Sequence, residues 1–511
     1  MPCHDRERRL EAMPRITIDG EVIEVAEGTN VLAAAENLGK EIPHYCYHPG
    51  LSVAGNCRMC LVEVKALSER QATPLPKLQI GCNTTVQDGM VVETDNDRVN
   101  EARRSVLEFL LINHPIDCPV CDQSGECKLQ DYYMDYGGYG SRVGLADKVH
   151  KQKAIAVGPD IMLDQERCIL CTRCVRFLDE FTETHELTVT ERGDRVELSL
   201  ATGATVDNDY ATNVVDICPV GALTSRQFRF QSRVWYLKTT PSVCTGCATG
   251  CNIDVHSRDE RIYRIKPRYN DEVNGYWMCD FGRTTHQDNR GDERLVAHLQ
   301  RESDGFAQCS AEAAVARAAA VLKQAGPVAI IASAAVSLEE GLLLREIAQR
   351  LGGAPLHLFS GPDSGVPDDG RLISSDRYPN RRGLLELGFV EDDSVPQGVG
   401  GLIIVRADPA SHGGESWKGL LGGLGATVVA HQRVCETVSY ADVVLALASH
   451  FEADATFKNK QGLLQQARAS VPPPAGAIAG WQGLATLLVA LGGARFSKPE
   501  EVLLVNLPSA V

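Results

Sequence analysis

A multidomain chain of mixed α+β and α/β folds is what this sequence predicts, and three observations predict it. Its 511 residues exceed the usual size of one domain. Of its 18 cysteines, 15 fall in four spaced groups before position 280, leaving Cys3, Cys309 and Cys435 outside them. Beyond about position 290 the texture changes to short, continuous apolar runs with helical patterns around them, the pattern of buried parallel strands.

The elements follow in order. From Arg15 the chain alternates as a strand, turns at Asp19-Gly20 and resumes at Val22, a hairpin signal. Thr29 is the expected cap of a helix through Val31, Leu32 and the three alanines after them, ending at Gly39. Strand, strand, helix and then a cysteine-rich loop is the order of a β-grasp ferredoxin. The first group, Cys46-x10-Cys57-x2-Cys60-x21-Cys82, has three cysteines close together and one distant, as in plant-type 2Fe–2S sites. Gly55 lets that loop fold tightly. Zinc is the alternative, although structural zinc usually shows two short-spaced pairs.

A helical segment over 102–112, with Val106, Leu107, Leu110 and Leu111 on one face, leads to the second group, His114-x3-Cys118-x2-Cys121-x5-Cys127. A lone histidine is usually structural. Three cysteines, however, leave one iron of a 4Fe–4S cubane without a protein ligand, and imidazole is a competent iron ligand. The stretch Gly137-Gly138-Tyr139-Gly140 reads as a linker.

The third group, Cys168-x2-Cys171-x2-Cys174, opens a bacterial ferredoxin run whose fourth cysteine would stand at Leu178. Counting back from Cys218-Pro219 with the same spacing puts the partner run at Asn208, Ala211 and Val214. In two-cluster ferredoxins the fourth cysteine of each run serves the other cluster. Cys218 therefore completes the 4Fe–4S site begun by Cys168, and the second site has lost its ligands. Side chains such as Ala211 and Val214 are expected to fill the empty half. The fourth group, Cys244-x2-Cys247-x3-Cys251-x27-Cys279, has the ligand count for a further 4Fe–4S cluster, with a four-cysteine zinc site as its rival.

Composition excludes other classes. A net charge of −16 argues against nucleic acid as a partner. The first residues carry no apolar stretch of a secretory signal, and the apolar run over 484–491 is too short to span a bilayer. There is no phosphate-binding G-x-x-x-x-G-K-[ST] loop and no dinucleotide fingerprint after a strand. The sixteen ligands in four sets suggest a wire for single electrons rather than a catalyst.

The run Asn113-His114-Pro115-Ile116-Asp117-Cys118-Pro119-Val120-Cys121-Asp122-Gln123-Ser124-Gly125-Glu126-Cys127 closely resembles the histidine-ligated motif of the large iron–sulfur subunit family of respiratory complex I, and the likeness covers all four groups over about 13–290. The resemblance implies a 2Fe–2S cluster on Cys46, Cys57, Cys60 and Cys82, and a 4Fe–4S cluster on His114, Cys118, Cys121 and Cys127. It implies a second 4Fe–4S cluster on Cys168, Cys171, Cys174 and Cys218, and a third, found in only some members, on Cys244, Cys247, Cys251 and Cys279. Asp280 stands where pterin-dependent relatives typically carry a lysine. The segments at Ala441-Asp442-Val443-Val444-Leu445 and Ala455 to Gly462 are similar to the cofactor-free molybdopterin-oxidoreductase domain of that family, here short, so no molybdopterin is expected.

The domains implied are an extension at 1–12, a 2Fe–2S ferredoxin-like domain at 13–95, a histidine-ligated segment at 96–140, a ferredoxin-like domain with one cluster lost at 141–234, a small four-cysteine domain at 235–291 and a truncated molybdopterin-oxidoreductase-like domain at 292–511. Implied partners are the FMN/NADH-binding subunit, a two-cluster ferredoxin-like subunit and the quinone-site subunits, with membrane association only through partners, on the cytoplasmic side of the bacterial inner membrane. Rival readings are an iron-only hydrogenase, which would keep the second ferredoxin site, an NAD-linked formate dehydrogenase, which would need a full pterin domain, and a zinc-stabilised scaffold. Cys309, before the expected helix cap Ser310, reads as a buried structural thiol.

Overall fold

The computed structural model describes residues 13–68, 70–289, 291–361 and 365–506, so the extension at 1–12 lies outside the described residues. The chain divides into two compact units, Met1–Trp235 and Tyr236–Val511.

The first unit begins with β1 (Arg15–Ile18) and β2 (Glu21–Glu24), joined at Asp19 and Gly20, whose φ angles of 49° and 83° are those of a primed turn. α1 (Val31–Asn37) follows. Its cap is Asn30, not Thr29: the Asn30 side chain accepts from the Ala33 N–H, while the Thr29 hydroxyl turns back to the Ala26 carbonyl. With β3 (Leu61–Ala66), β4 (Gln79–Ile80) and β5 (Met90–Glu93), the strands form a sheet in the order β2-β1-β5-β3-β4, with β1 and β5 parallel. Ile16, Ile18, Leu32, Ala35, Val62 and Met90 are fully buried between sheet and helix.

α2 (Asp97–Leu111), longer than the expected 102–112, leads through an irregular segment to α3 (Lys128–Tyr136). A three-stranded antiparallel sheet of β6 (Ile155–Ala156), β7 (Ile161–Leu163) and a later strand, β10 (Leu223–Ser225), then frames α4 (Arg173–Glu180), the hairpin β8 (Leu187–Thr190) and β9 (Glu197–Leu200), and the short α5 (Asn213–Asp216). α4 packs on α5. Ala211 and Val214 are buried, as expected of the half without cysteines, and Leu178 is buried too. Aromatic rings pack there too, Phe181 edge-on to Tyr210 at 5.1 Å.

The second unit opens with a meander of β11 (Lys238–Val243), β12 (Asn252–Arg258) and β13 (Arg261–Pro267), followed by α6 (Asp280–Thr284). β14 (His298–Glu302) and β15 (Gly305–Cys309) form a hairpin on the edge of a larger sheet. α7 (Ala311–Gln324) is capped by Ser310, which accepts from Ala313 N–H. The parallel core then runs β16 (Val328–Ser333), α8 (Leu338–Arg350), β17 (Leu356–Phe359), α9 (Arg381–Glu386), β18 (Val390–Glu391), β19 (Gly401–Val405), α10 (Pro409–His412), α11 (Glu415–Gly423), β20 (Thr427–His431) and β21 (Val443–Ala446). The hairpin β22 (Ala455–Lys458) and β23 (Leu464–Ala467) and the helices α12 (Gly480–Ala490) and α13 (Pro499–Asn506) complete it.

The eight-stranded order is β15-β14-β21-β20-β19-β16-β17-β18, so its parallel part is doubly wound, with the order reversing between β16 and β19. Every residue of β16 and β19 is buried. Two expectations need correction. The segment between Gly361 and Gly401, read as a loop, contains α9 and β18. Cys309 is half-buried at the end of β15 rather than enclosed.

Candidate metal centres

All the described cysteines are free thiols. In the first group the sulfurs lie within hydrogen-bonding reach of one another, Cys46 with Cys57 and Cys82, and Cys60 with Cys82. Mutual hydrogen bonds hold Cys46 down and push Cys57 and Cys82 up. Cys46, Cys60 and Cys82 are buried, and Arg58 in the loop has a left-handed φ of 59°.

The second group, His114, Cys118, Cys121 and Cys127, lies on the irregular segment between α2 and α3, where His114, Cys118 and Cys127 line one cavity. Burial lowers the His114 pKa to about 4, so the ring is neutral at physiological pH, the ligating form. Its Nδ1 is buried with no hydrogen-bond partner, a polar atom that a metal would satisfy. Lys148 fixes the segment's entry: its Nζ donates to the carbonyls of Leu111, Ile112 and His114 at 2.8–2.9 Å, covering the end of α2. A Cβ on Gly221 would stand 2.3 Å from the Cys121 sulfur, so only glycine admits that approach. A cavity of about 540 Å³ lies beside the group, lined by His114, Cys118 and Cys127 with Leu107, Leu111 and Tyr133.

In the third group, Cys168, Cys171, Cys174 and Cys218 line one small cavity together with Ile169, Leu170, Val220 and Leu223. Ile169 and Leu170 give the cavity apolar cover. Leu170 and Thr172 adopt left-handed φ angles of 54° and 61°, an unfavourable conformation that wraps the loop around the cavity. Burial pushes Cys171 to about 11 and Cys168 to about 12, so a cation is needed to hold these sulfurs as thiolates near neutrality. Among the described residues no three His, Cys, Asp or Glu side chains close on the position of a single ion.

The fourth group is held wholly within the second unit. Cys244, Cys247, Cys251 and Cys279 are all buried, and the Cys244 N–H donates to the Cys251 carbonyl at 2.8 Å. A Cβ on Gly282 would stand 3.0 Å from the Cys244 sulfur. Asn459 and Gln465 of the β22–β23 hairpin donate to the carbonyls of Thr249 and Gly250. Arg377 lies over the Phe281 ring at 4.2 Å, its charge favouring the thiolates of Cys244 and Cys279, while Asp280 pairs with Arg283 at 3.3 Å.

Several residues that position these groups were not singled out from sequence. Asp117, between His114 and Cys118, receives a two-pronged bond from Arg167, next to Cys168, at 3.0 and 2.6 Å. The Lys128 N–H, beside Cys127, donates to the Pro219 carbonyl at 3.1 Å. Tyr132 on α3 donates to Glu41 at 2.8 Å and packs its ring 5.4 Å from Tyr45. Arg173 and Arg176 on α4 reach the loop of the first group. The polar residues flanking each cysteine were the available signal, but their partners are far away in sequence. Cys46, Cys57, Cys127, Cys168, Cys171 and Cys218 all pack in one apolar cluster around Tyr45, Met59, Leu107 and Val220.

Four family models match in succession. They are a 2Fe-2S iron-sulfur cluster binding domain at 11–97, the NADH-ubiquinone oxidoreductase-G iron-sulfur binding region at 103–142, the NADH-quinone oxidoreductase subunit 3 ferredoxin-like domain at 158–224 and the molybdopterin oxidoreductase Fe4S4 domain at 237–289. The G subunit of the NADH-quinone oxidoreductase of Rickettsia felis is 41% identical over 342 residues, 66% of this chain and 49% of that protein. The mitochondrial NADH-ubiquinone oxidoreductase 78 kDa subunit of Candida albicans is 39% identical over 344 residues, 66% of this chain and 46% of that protein. A chain from the crystal structure of an NAD+-reducing [NiFe]-hydrogenase in the H2-reduced state shows 32% identity and a TM-score of 0.38, covering 43% of this chain and 91% of that one. The chain spans about half the length of the curated relatives it matches. Over the two-thirds of its length that they match, it is similar to NADH-quinone oxidoreductase G subunits.

Proposed function

We propose that this chain is an electron-relay subunit of an NADH:quinone oxidoreductase, passing electrons from an FMN-bearing NADH-oxidising subunit towards quinone. The observation that carries it is the apolar cluster of the first unit, which gathers cysteines of three groups around one core. Cys46, Cys57, Cys60 and Cys82 would hold a 2Fe–2S cluster. His114, Cys118, Cys121 and Cys127 would hold a 4Fe–4S cluster, as would Cys168, Cys171, Cys174 and Cys218, and Cys244, Cys247, Cys251 and Cys279. Bound there, such clusters supply one-electron redox chemistry.

The chain's own residues supply the rest. Ile169, Leu170 and Val220 keep water from the third group. His114 is kept unprotonated by burial, and Asp117–Arg167 fixes the loop that presents it. In this reading the 13–95 sheet is a β-grasp ferredoxin domain, 96–140 the histidine-bearing segment, 141–234 a ferredoxin fold with one site lost, 235–291 a four-cysteine cluster domain and 292–511 a shortened molybdopterin-oxidoreductase-like domain without pterin. The partners are the FMN/NADH-binding, two-cluster ferredoxin-like and quinone-site subunits, on the cytoplasmic face of the inner membrane. Among the described residues no helix is long and apolar enough to cross a membrane.

Anaerobic metal and sulfide analysis tests the ligand sets: about 14 irons, no zinc and no molybdenum are expected. About ten irons with one zinc would remove only the fourth cluster. Cys171→Ser should abolish NADH:quinone activity and spare NADH oxidation by an artificial flavin oxidant. Surviving quinone reduction in an assembled complex lacking that cluster would overturn the relay.

A further inference from the structure

Two positive charges sit where the first and third cysteine groups meet, and neither ligand set requires them. Arg173, Arg176 and Glu180 lie three and four residues apart on α4 and so share one face. Arg173 donates to the Tyr47 carbonyl, next to Cys46, and at 3.3 Å to the Ile217 carbonyl, next to Cys218. Arg176 donates to the carbonyls of Cys46 and Ser52, and at 3.4 Å to that of Cys171. Glu180 closes the contact by accepting from the Ser52 N–H at 2.8 Å. In the reverse direction, the Asn56 side chain donates to the Leu170 carbonyl at 3.3 Å.

Among the described residues neither guanidinium meets a carboxylate, and Arg173 Nε is buried without an acceptor. The acidic groups that Arg173 faces are the sulfurs of Cys171, Cys218 and Cys46, from both groups. A half-buried cation with only carbonyl dipoles around it is costly unless an anion lies close. Two thiolate-bound metal groups would be that anion. Arginine also suits the geometry, since its fork bonds two carbonyls at once where lysine offers a point charge.

We propose that Arg173 and Arg176 are positioning residues shared by two redox sites: they lock the loops of the first and third groups together, and their charge raises the reduction potentials of both at once. This rests on the reading that both groups hold iron–sulfur clusters. A fixed positive charge favours the more negative, reduced state of any centre near it, and one placed between two centres acts on both.

The test is an electron paramagnetic resonance redox titration of the full chain in its assembled complex, with Arg173→Gln, Arg176→Gln, Arg173→Lys and Arg176→Lys. Each glutamine variant should lower both potentials, changing the reduced-to-oxidised ratio at fixed poise on the order of tenfold, which is ~59 mV for one electron. Each lysine variant should recover most of that shift, and the signals of the second and fourth groups should stay in place. A shift at one site only, no shift at all, or equal shifts with glutamine and lysine would overturn the proposal. If Arg173→Gln fails to load its metals, the Arg176 pair decides by the same criteria. Iron and sulfide counts on the unsubstituted chain come first. Iron missing from either group there would defeat the cluster reading itself, whereas loaded clusters with unmoved potentials would defeat only the shared-cation role.

Discussion

In the first unit three cysteine groups converge on one apolar cluster, and the loops that carry them are irregular, left-handed in places and tied by arginines to backbone carbonyls. In the second unit a single group is clasped by a hairpin of the same domain, beside an eight-stranded sheet with an extensive aliphatic core. Charges differ at these loops. Arg406 pairs with Glu340 at 2.8 Å and Arg294 with Glu452 at 2.5 Å in the second unit, and Arg167 pairs with Asp117 at 2.6 Å in the first, each arginine side chain 6% exposed. Arg173 and Arg176 are left facing sulfur. If the cysteine groups hold metal, the loops of the first unit should depend on it for their structure, whereas the second unit is a conventional apolar fold with one cysteine group beside it.

The largest expected effect follows directly. Anaerobic removal of iron with a strong chelator should unfold the loops of the first unit while the α/β sheet of the second persists. Hydrogen exchange reads both at once: amides of α3 and α4 should lose protection, and those of β16, β19 and β20 should keep it. Equal loss in both units would break the comparison.

Next in size is the ion pair at the sheet's reversal point. Glu340 accepts from the Ser337 N–H and from Arg406 Nη2 at 2.8 Å, filling the start of α8 with the protein's own carboxylate. In doubly wound folds that position commonly receives a ligand's phosphate. Arg406→Ala leaves this carboxylate buried and unpaired and should cost about 3–5 kcal/mol. The thermal transition of the second unit should fall, and the iron content of the first three groups should not change.

Acid should separate the units further. His431 and His450 are half-buried, and desolvation lowers their pKa values to about 4 and about 3, with Arg406 adding to the effect in both; the Arg433 carbonyl opposes it at His431, and Glu340 opposes it at His450. Unfolded, each takes a proton near pH 6.5, but folded it does not until far lower. Their contribution to stability is therefore whole above about pH 6.5 and is lost as pH falls from there towards about 3, by up to ~1.4 kcal/mol per pH unit for each histidine. His450→Gln should flatten the acid limb of the second unit's unfolding profile.

Much of this was legible in sequence because the governing forces are local. Cysteine spacing fixes which sulfurs a loop can gather, Asp19-Gly20 supplies the primed turn, and Ser310 caps α7. The half-lost ferredoxin pair was legible too, since Leu178, Ala211 and Val214 are apolar where ligands would stand. What escaped was long-range or finely balanced. The acceptors of Arg173 and Arg176 include backbone carbonyls more than 120 residues away, which no side-chain pattern encodes. Thr29 and Asn30 are both good caps, and only the extended φ and ψ of Asn30, −85° and 161°, decide between them. The α9 segment hides in a stretch rich in glycine, proline and aspartate because its two buried residues, Gly383 and Leu384, are too few to show a period.

The smallest effects offer the sharpest control, because they put matched perturbations into both units. Asn30 caps α1 through one bond to Ala33 N–H at 2.9 Å, and Ser310 caps α7 through one bond to Ala313 N–H at 3.2 Å. Asn30→Ala and Ser310→Ala should each cost about 1 kcal/mol, and neither touches a cysteine group. In units of this size that is a melting shift of about 2–4 °C. Each substitution should move only the transition of its own unit when metals are bound. After iron removal the Ser310→Ala shift should persist, and the Asn30→Ala shift should shrink, since the transition it acts on is already weakened. If both shifts survived chelation unchanged, the first unit would be holding its fold without its metals, and the difference between the two units would be one of loop composition alone.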